Sequence, residues 1–270
     1  MSAVGSAVGE GVILARGLGT RMRAAGGDLD AATAAVADTG VKALIPFARP
    51  FLDYVLHDLA EAGIRRAVVV IGPEHEAMRA HCRALTTSRL EVALAVQEHP
   101  RGTADAVLSA QAAVSGPFLV LNGDNRYPPG ALRALCAQGA PALVGFRRSG
   151  LLRGNIPAAR IGRFAAIRAG ADGRLDRIIE KPDPAQLAAS GEDPALSMNC
   201  WAFTQDIFAA CRRVAVSVRG ELELPDAVAL LVAEGVRFAI VPAKEAVLDL
   251  SSRDDIASVR TALAGVAVRL

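Results

Sequence analysis

Short apolar runs alternate with stretches of helical period along the first half of this chain. Val12-Ile13-Leu14 is too brief for a helix and opens into a glycine-bearing loop, which predicts a buried parallel strand. After Pro50, residues Phe51, Tyr54, Val55, Leu59 and Ala62 recur at helical spacing and stop at Gly63. Ala67 to Ile71 predicts a second strand, a helix is expected from Pro73 to about Leu85, and Leu90 to Val96 and Phe118 to Leu121 predict two more strands. This alternation implies an α/β fold with a Rossmann-like, mostly parallel central sheet flanked by helices.

The pattern changes near Ala142. Leu143 to Phe146, Arg163 to Arg168, Gly173 to Ile179, Leu196 to Phe203 and Phe238 to Val241 read as strands with few helices between them, and Ala171-Asp172-Gly173 reads as a turn. That predicts a smaller mixed or antiparallel layer. A helix with Leu224, Val228 and Leu231 facing inward follows Gly220, and another closes the chain after Ser251. Residues 1–270 therefore read as one domain: a loosely ordered lead-in over 1–10, one half over 11–141, and a second half with closing helices over 142–270.

Composition narrows the picture. With 270 residues, 52% of them apolar, a sizeable core is available. A formal charge of +2 is too balanced to make nucleic acid or an anionic membrane the main partner. Cys82, Cys136, Cys200 and Cys211 are scattered, which indicates neither zinc nor a disulfide framework, so reduced buried thiols are expected. No apolar run has bilayer-spanning length and no secretory leader is evident, so the expected location is cytoplasmic. Only Lys42, Lys181 and Lys244 are lysine among 30 basic residues. A compact ammonium and a planar guanidinium are not equivalent, so these lysines are either kept for a specific task or ordinary surface residues.

The loop after Leu14 carries the first candidate chemistry. Gly17 and Gly19 allow an anion close to the backbone, and Arg21 adds a guanidinium for the same charge, although an ordinary strand-to-helix turn would look similar. A phosphate loop ending in Gly-Lys is excluded because no such pair occurs. A dinucleotide fingerprint is disfavoured because Met22 stands where its third glycine belongs. In Gln97 to Val107, Thr103 is placed to cap a helix and Asp105 lies in its first turn, where a carboxylate favours the dipole. Asp124, in Asn122-Gly123-Asp124-Asn125, ends a central strand, where it either caps a turn or offers a hard oxygen to magnesium. Asp249 could cap the last helix, but Ser251 and Ser252 are better placed for that. Trp201 reads as core, and His57, His75, His81 and His99 lack metal-ligand spacing.

Together these motifs resemble those of the sugar-1-phosphate nucleotidyltransferases. The match runs through Gly17-x-Gly19-Thr20-Arg21-Met22, Lys42-x-Leu44-x-Pro46, Arg101-Gly-Thr-Ala-Asp-Ala-Val107, Gly123-Asp124, Glu180-Lys181-Pro182 and Gly220-Glu-x-x-Leu-x-Asp-Ala-Val228, in the family's order. The resemblance implies catalytic roles for Arg21, Lys42 and Lys181. It implies nucleotide contacts at Ala15, Gly17, Leu18, Gly19, Thr20, Gln97, Gly102, Thr103 and Asn122. It further implies sugar contacts at Glu180 and Asn199 in the second half, and Mg2+ on Asp124 and Asp249. The substrates would be a nucleoside triphosphate (NTP) and a sugar 1-phosphate. Gln97 favours UTP or dTTP and the Arg-Gly-Thr-Ala-Asp phrase points to ATP, with CTP and GTP not excluded. A homo-oligomer stays open.

Two departures stand out. Relatives usually carry Gly or Ala where this chain has Arg16, a bulky side chain that would either crowd the nucleotide or add a phosphate contact, and the Arg23–Gly40 gap is longer than usual, an insertion that is either a flap over the nucleotide or a solvated loop. Two other classes were weighed. A nucleotide-sugar-dependent glycosyltransferase needs Asp-x-Asp, which Asp124-Asn125-Arg126 lacks, and a non-catalytic nucleotide-binding regulatory module is disfavoured by the presence of both acids.

Overall fold

Four parallel strands form the floor on which the glycine loop stands: β1 (Glu10–Leu14), β2 (Arg66–Ile71), β3 (Glu91–Val96) and β4 (Phe118–Asn122), in the order β3-β2-β1-β4. The computed structural model describes residues 8–24 and 26–270, so most of the lead-in read over residues 1–10 lies outside the described residues. Successive strand residues point to opposite faces, and here both faces are covered. Ile13, Val69 and Leu121 enter one apolar cluster, while Val12, Val68 and Val120 enter the other. Burying each such side chain contributes about 1.5–3 kcal/mol, so no single contact defines the floor.

Helices α1 (Thr20–Arg23), α2 (Ala31–Thr39) and α3 (Phe51–Glu61) connect β1 to β2, α4 (Glu76–Ala84) connects β2 to β3, and α5 (Thr103–Ser109) connects β3 to β4. The second half contributes β5 (Asn125–Arg126), α6 (Pro129–Gln138), β6 (Ala142–Arg147), α7 (Arg148–Leu151), α8 (Ala158–Ile161), β7 (Ala166–Ala169), β8 (Leu175–Ile179) and α9 (Pro184–Ala188). It ends with β9 (Ala195–Leu196), β10 (Trp201–Phe203), α10 (Asp206–Cys211), α11 (Leu224–Ala233), β11 (Ala239–Ala243), β12 (Leu248–Asp249) and α12 (Asp255–Leu263).

The mixed layer is continuous with the parallel one. β10 pairs antiparallel with both β4 and β6, and the sheet runs on through β9, β7 and β8, with β11 parallel to β6. Trp201 is fully buried at this junction, stacked on Phe203 at 5.5 Å and edge-on to Phe238 at 6.4 Å, which bears out its reading as core. A separate two-stranded sheet pairs β12 with β5 and sets Asp249 opposite Asn125. No helix among the described residues is long and apolar enough to cross a membrane.

Three local expectations are corrected. The helix expected from Pro73 begins at Glu76, because Gly72 to His75 closes a turn, with the His75 amide donating to the Gly72 carbonyl at 3.1 Å. The strand expected over Leu196 to Phe203 breaks into β9 and β10 at Asn199, whose φ is 54°. The strand expected from Arg163 starts at Ala166, since α8 and the turn after it occupy the preceding residues.

Candidate active site

The loop after β1 is fastened at its start. The Ala15 amide donates to the Val70 carbonyl at 2.9 Å, and the Gly123 amide donates to the Leu14 carbonyl at 2.8 Å, so the ends of β1, β2 and β4 are locked together. Gly19 has φ 62°, and a Cβ on it would lie 2.2 Å from the Gly40 carbonyl oxygen, so only glycine fits. The Arg23–Gly40 segment is thus packed against the loop. Arg23 donates from Nε and Nη2 to the Thr39 carbonyl at 3.0 and 2.8 Å, while Arg253 donates to the Met22 carbonyl at 2.8 Å and pairs with Asp38. Among the described residues the amides of Gly17 and Gly19 have no backbone acceptor.

These elements enclose a cleft of about 290 Å³. Of the residues expected from sequence, Ala15, Gly17, Leu18, Lys42, Gln97, Gly102, Thr103, Asn122, Asp124 and Asn199 line it. Lys42 Nζ donates to Asp124 Oδ2 at 2.7 Å across 82 positions of sequence. Gln97, 3% exposed, gives its two amide hydrogens to the Gly102 carbonyl at 3.1 Å and to Asp105 Oδ2 at 2.8 Å. Both partners can only accept, which fixes the amide orientation and leaves its oxygen free to accept.

Residues 10–264 match the family model described as nucleotidyl transferase. The chain belongs to this family. It is similar to the low-salt glycan biosynthesis nucleotidyltransferase Agl11 of Haloferax volcanii, at 29% identity over 84% of this chain and 58% of that protein. It is also similar to the bifunctional protein GlmU of Novosphingobium aromaticivorans, at 30% identity over 91% of this chain and 51% of that protein. The chain spans about half the length of the curated relatives it matches. Its fold resembles a solved UDP-glucose pyrophosphorylase complexed with UDP-glucose, with a TM-score of 0.71 and 17% identity, covering 94% of this chain and 98% of that one.

Within this nucleotidyltransferase, the remaining expected residues stand outside the cleft wall. Thr20 and Arg21 belong to the exposed face of α1, and Arg21 makes no ion pair or side-chain hydrogen bond among the described residues. Glu180 and Lys181 are exposed and do not line the cleft. Lys181, at φ 43°, and Asn199 are the non-glycine residues held at left-handed φ among the described residues, a costly geometry that clusters at ligand-holding positions. Although Glu180 is exposed as a residue, desolvation of its carboxyl pushes it above the ordinary carboxylate range. Glu223 and Asp226 add to that push, while Arg219 and Lys181 oppose it.

Asp249 is buried beside Asp124. Burial raises its carboxyl first and the charge of Asp124 raises it further, so the two acids share one electrostatic neighbourhood. Its Oδ1 accepts from Asn125 Nδ2 and Ser251 Oγ, both at 2.9 Å, and Oδ2 is paired with Arg160, which also donates to both Asp255 oxygens at 3.2 Å. Magnesium commonly takes one or two carboxylates and completes its shell with substrate phosphates and water. The oxygen donors of Asp124 and Asp249 fit that habit. Asp124 faces the cleft, and Asp249 Oδ2, whose one partner among the described residues is Arg160, keeps a lone pair for a cation. No group of three or more His, Cys, Asp or Glu side chains with metal-ligand geometry occurs among the described residues.

Two capping roles differ from expectation. Gly102, not Thr103, caps α5, and Thr103 Oγ1 instead accepts from the Leu224 amide at 2.9 Å, tying α5 to the start of α11. Ser251 and Ser252 do not cap α12. Their amides donate to Asp255 Oδ2 at 3.0 and 2.8 Å. Arg16 and Glu221 line the cleft without having been assigned to it. From sequence, Arg16 stood out as a departure that would crowd the nucleotide or add a phosphate contact, and Glu221 only as part of the Gly220 segment.

Proposed function

We propose that the chain catalyses Mg2+-dependent transfer of a nucleotidyl group from an NTP to a sugar 1-phosphate, forming a nucleoside diphosphate sugar and pyrophosphate. One observation carries this reading: Lys42 and Asp124 meet in the cleft that also holds the glycine loop, Gln97 and Asn199. Two charged residues 82 positions apart in sequence converge on this space, which supports the reading of it as a nucleotide site.

In this mechanism an oxygen of the sugar 1-phosphate attacks the α-phosphorus in line. The new P–O bond forms as the bond to pyrophosphate breaks, and the leaving group takes the bonding electrons. The attacking oxygen is already anionic at neutral pH, so no side-chain nucleophile is needed. The difficulty is to hold two repelling anions in register. The Gly17 and Gly19 amides and Arg21 receive the triphosphate, with Ala15, Leu18, Thr20 and Asn122 shaping its bed. Lys42 moves charge from Asp124 toward the phosphates, and Lys181 receives the incoming sugar phosphate. Glu180 and Asn199 accept and donate hydrogen bonds to sugar hydroxyls. Asp124 and Asp249 would hold magnesium, which would supply a Lewis acid to neutralise phosphate charge. Gln97, with Gly102 and Thr103 beside it, presents an oxygen to an imide N–H, which favours UTP or dTTP.

A screen crossing each NTP with a panel of sugar 1-phosphates and magnesium tests this. Pyrophosphate released only when both substrates are present is the expected result. Nucleotide binding without turnover, or turnover of a nucleotide sugar without pyrophosphate, would overturn it.

A further inference from the structure

Arg16 is held in a poor arrangement. Its side chain is only 7% exposed, and Nε and Nη2 donate to the Glu74 carboxylate at 3.3 Å each. Charge-assisted pairs usually close to about 2.7–2.9 Å, so these bonds are long. The remaining nitrogen, Nη1, is shut from solvent and has no acceptor among the described residues. A donor stripped of water without a replacement acceptor is unfavourable, and a cationic one more so. Glu74 depends less on the pair, since its side chain is 53% exposed and can be solvated.

The position of Arg16 gives this imbalance a direction. It immediately precedes Gly17 and lines the cleft. Arg16 thus shares the cleft wall with Gly17, whose amide, like that of Gly19, has no backbone acceptor among the described residues. A neutral base carbonyl would not compete with a carboxylate for a guanidinium, whereas a phosphate offers several anionic oxygens that match its fork.

We propose that Arg16 is a nucleotide-phosphate ligand held in reserve by Glu74: a bound triphosphate draws the guanidinium off the carboxylate and gives Nη1 the acceptor it lacks. This rests on the NTP-binding reading above and adds to it a residue not included in that mechanism.

Equilibrium binding by calorimetry, with magnesium and without sugar phosphate, tests it using UTP and uridine, or the corresponding pair if the screen selects another base. Arg16→Met should weaken triphosphate binding by roughly tenfold or more and leave nucleoside binding unchanged. Arg16→Lys should recover part of the loss. Glu74→Gln should tighten triphosphate binding, an outcome that a misfolded variant cannot mimic. Arg16→Met binding the triphosphate as tightly as the unaltered chain would overturn the proposal alone, as would an equal loss of nucleoside or a weakened Glu74→Gln. Failure of the unaltered chain to bind any NTP would overturn the reading beneath it as well.

Discussion

At the residue scale, Asp105 shows how a side chain with a plain local role acquires a second one through its neighbour. In the first turn of α5 it favours the helix dipole, and it also holds the Gln97 amide so that only an acceptor faces the cleft. Asp105→Ala frees that amide to rotate. The ratio of kcat/KM between uridine and cytidine triphosphates should then fall by about tenfold, the order of one lost polar discrimination, while melting changes little. Gly19→Ala must force a left-handed φ and a clash with the Gly40 backbone, so denaturant unfolding should show a loss of about 2 kcal/mol or more together with weakened nucleotide binding. Gly19 was legible as a tight-loop residue from its type and position, whereas Lys42 and Asp124 were singled out by the family resemblance. The Arg16–Glu74 and Gln97–Asp105 pairings were not legible, since nothing local says which way a side chain turns.

At the element scale, short connections do much of the positioning. Arg160 on α8 joins β12 and α12 through two acids, Asp249 and Asp255, each 4% exposed. Arg160→Met leaves two buried carboxylates without their cation, and urea unfolding should reveal a loss of about 3–5 kcal/mol. His75 opens α4 from a buried position, where its Nδ1 accepts from the Gly72 amide at 3.3 Å and is therefore unprotonated. Burial holds its pKa below the ordinary 6.5, Arg16 and Arg23 push the same way, and Glu74 opposes them. The unfolded chain thus takes up this proton before the folded chain does. Its contribution to stability is full above 6.5 and falls as the pH drops below that value. Between about pH 7.5 and about pH 5.5, His75→Gln should lose less melting temperature than the unaltered chain. Apolar runs revealed β1 to β4 because burial on both faces requires them. The break at Asn199 was hidden, since the residues on either side keep strand-like character.

At the scale of the whole molecule, one sheet brings distant motifs to a common edge. The parallel order β3-β2-β1-β4 sets Gln97, the glycine loop and Asn122 at neighbouring strand ends, where open α/β sheets place ligands. β10 then carries the second half onto β4, and the β5–β12 pair returns Asp249 to the side of Asp124. Order along the chain foretold the alternating half of this arrangement, but not that the mixed half would extend the same sheet, because strand pairing depends on partners far away in sequence. The account requires that the cleft between these halves be where chemistry happens. With the substrate pair selected by the screen, the most direct measurement is nucleoside diphosphate sugar formation by Asp124→Asn beside the unaltered chain, with melting followed in parallel. Turnover should fall by roughly hundreds-fold, the order expected for one preorganised contact at a reacting phosphate, with the fold preserved; turnover within a few-fold of the unaltered chain would rule out this cleft as the active site.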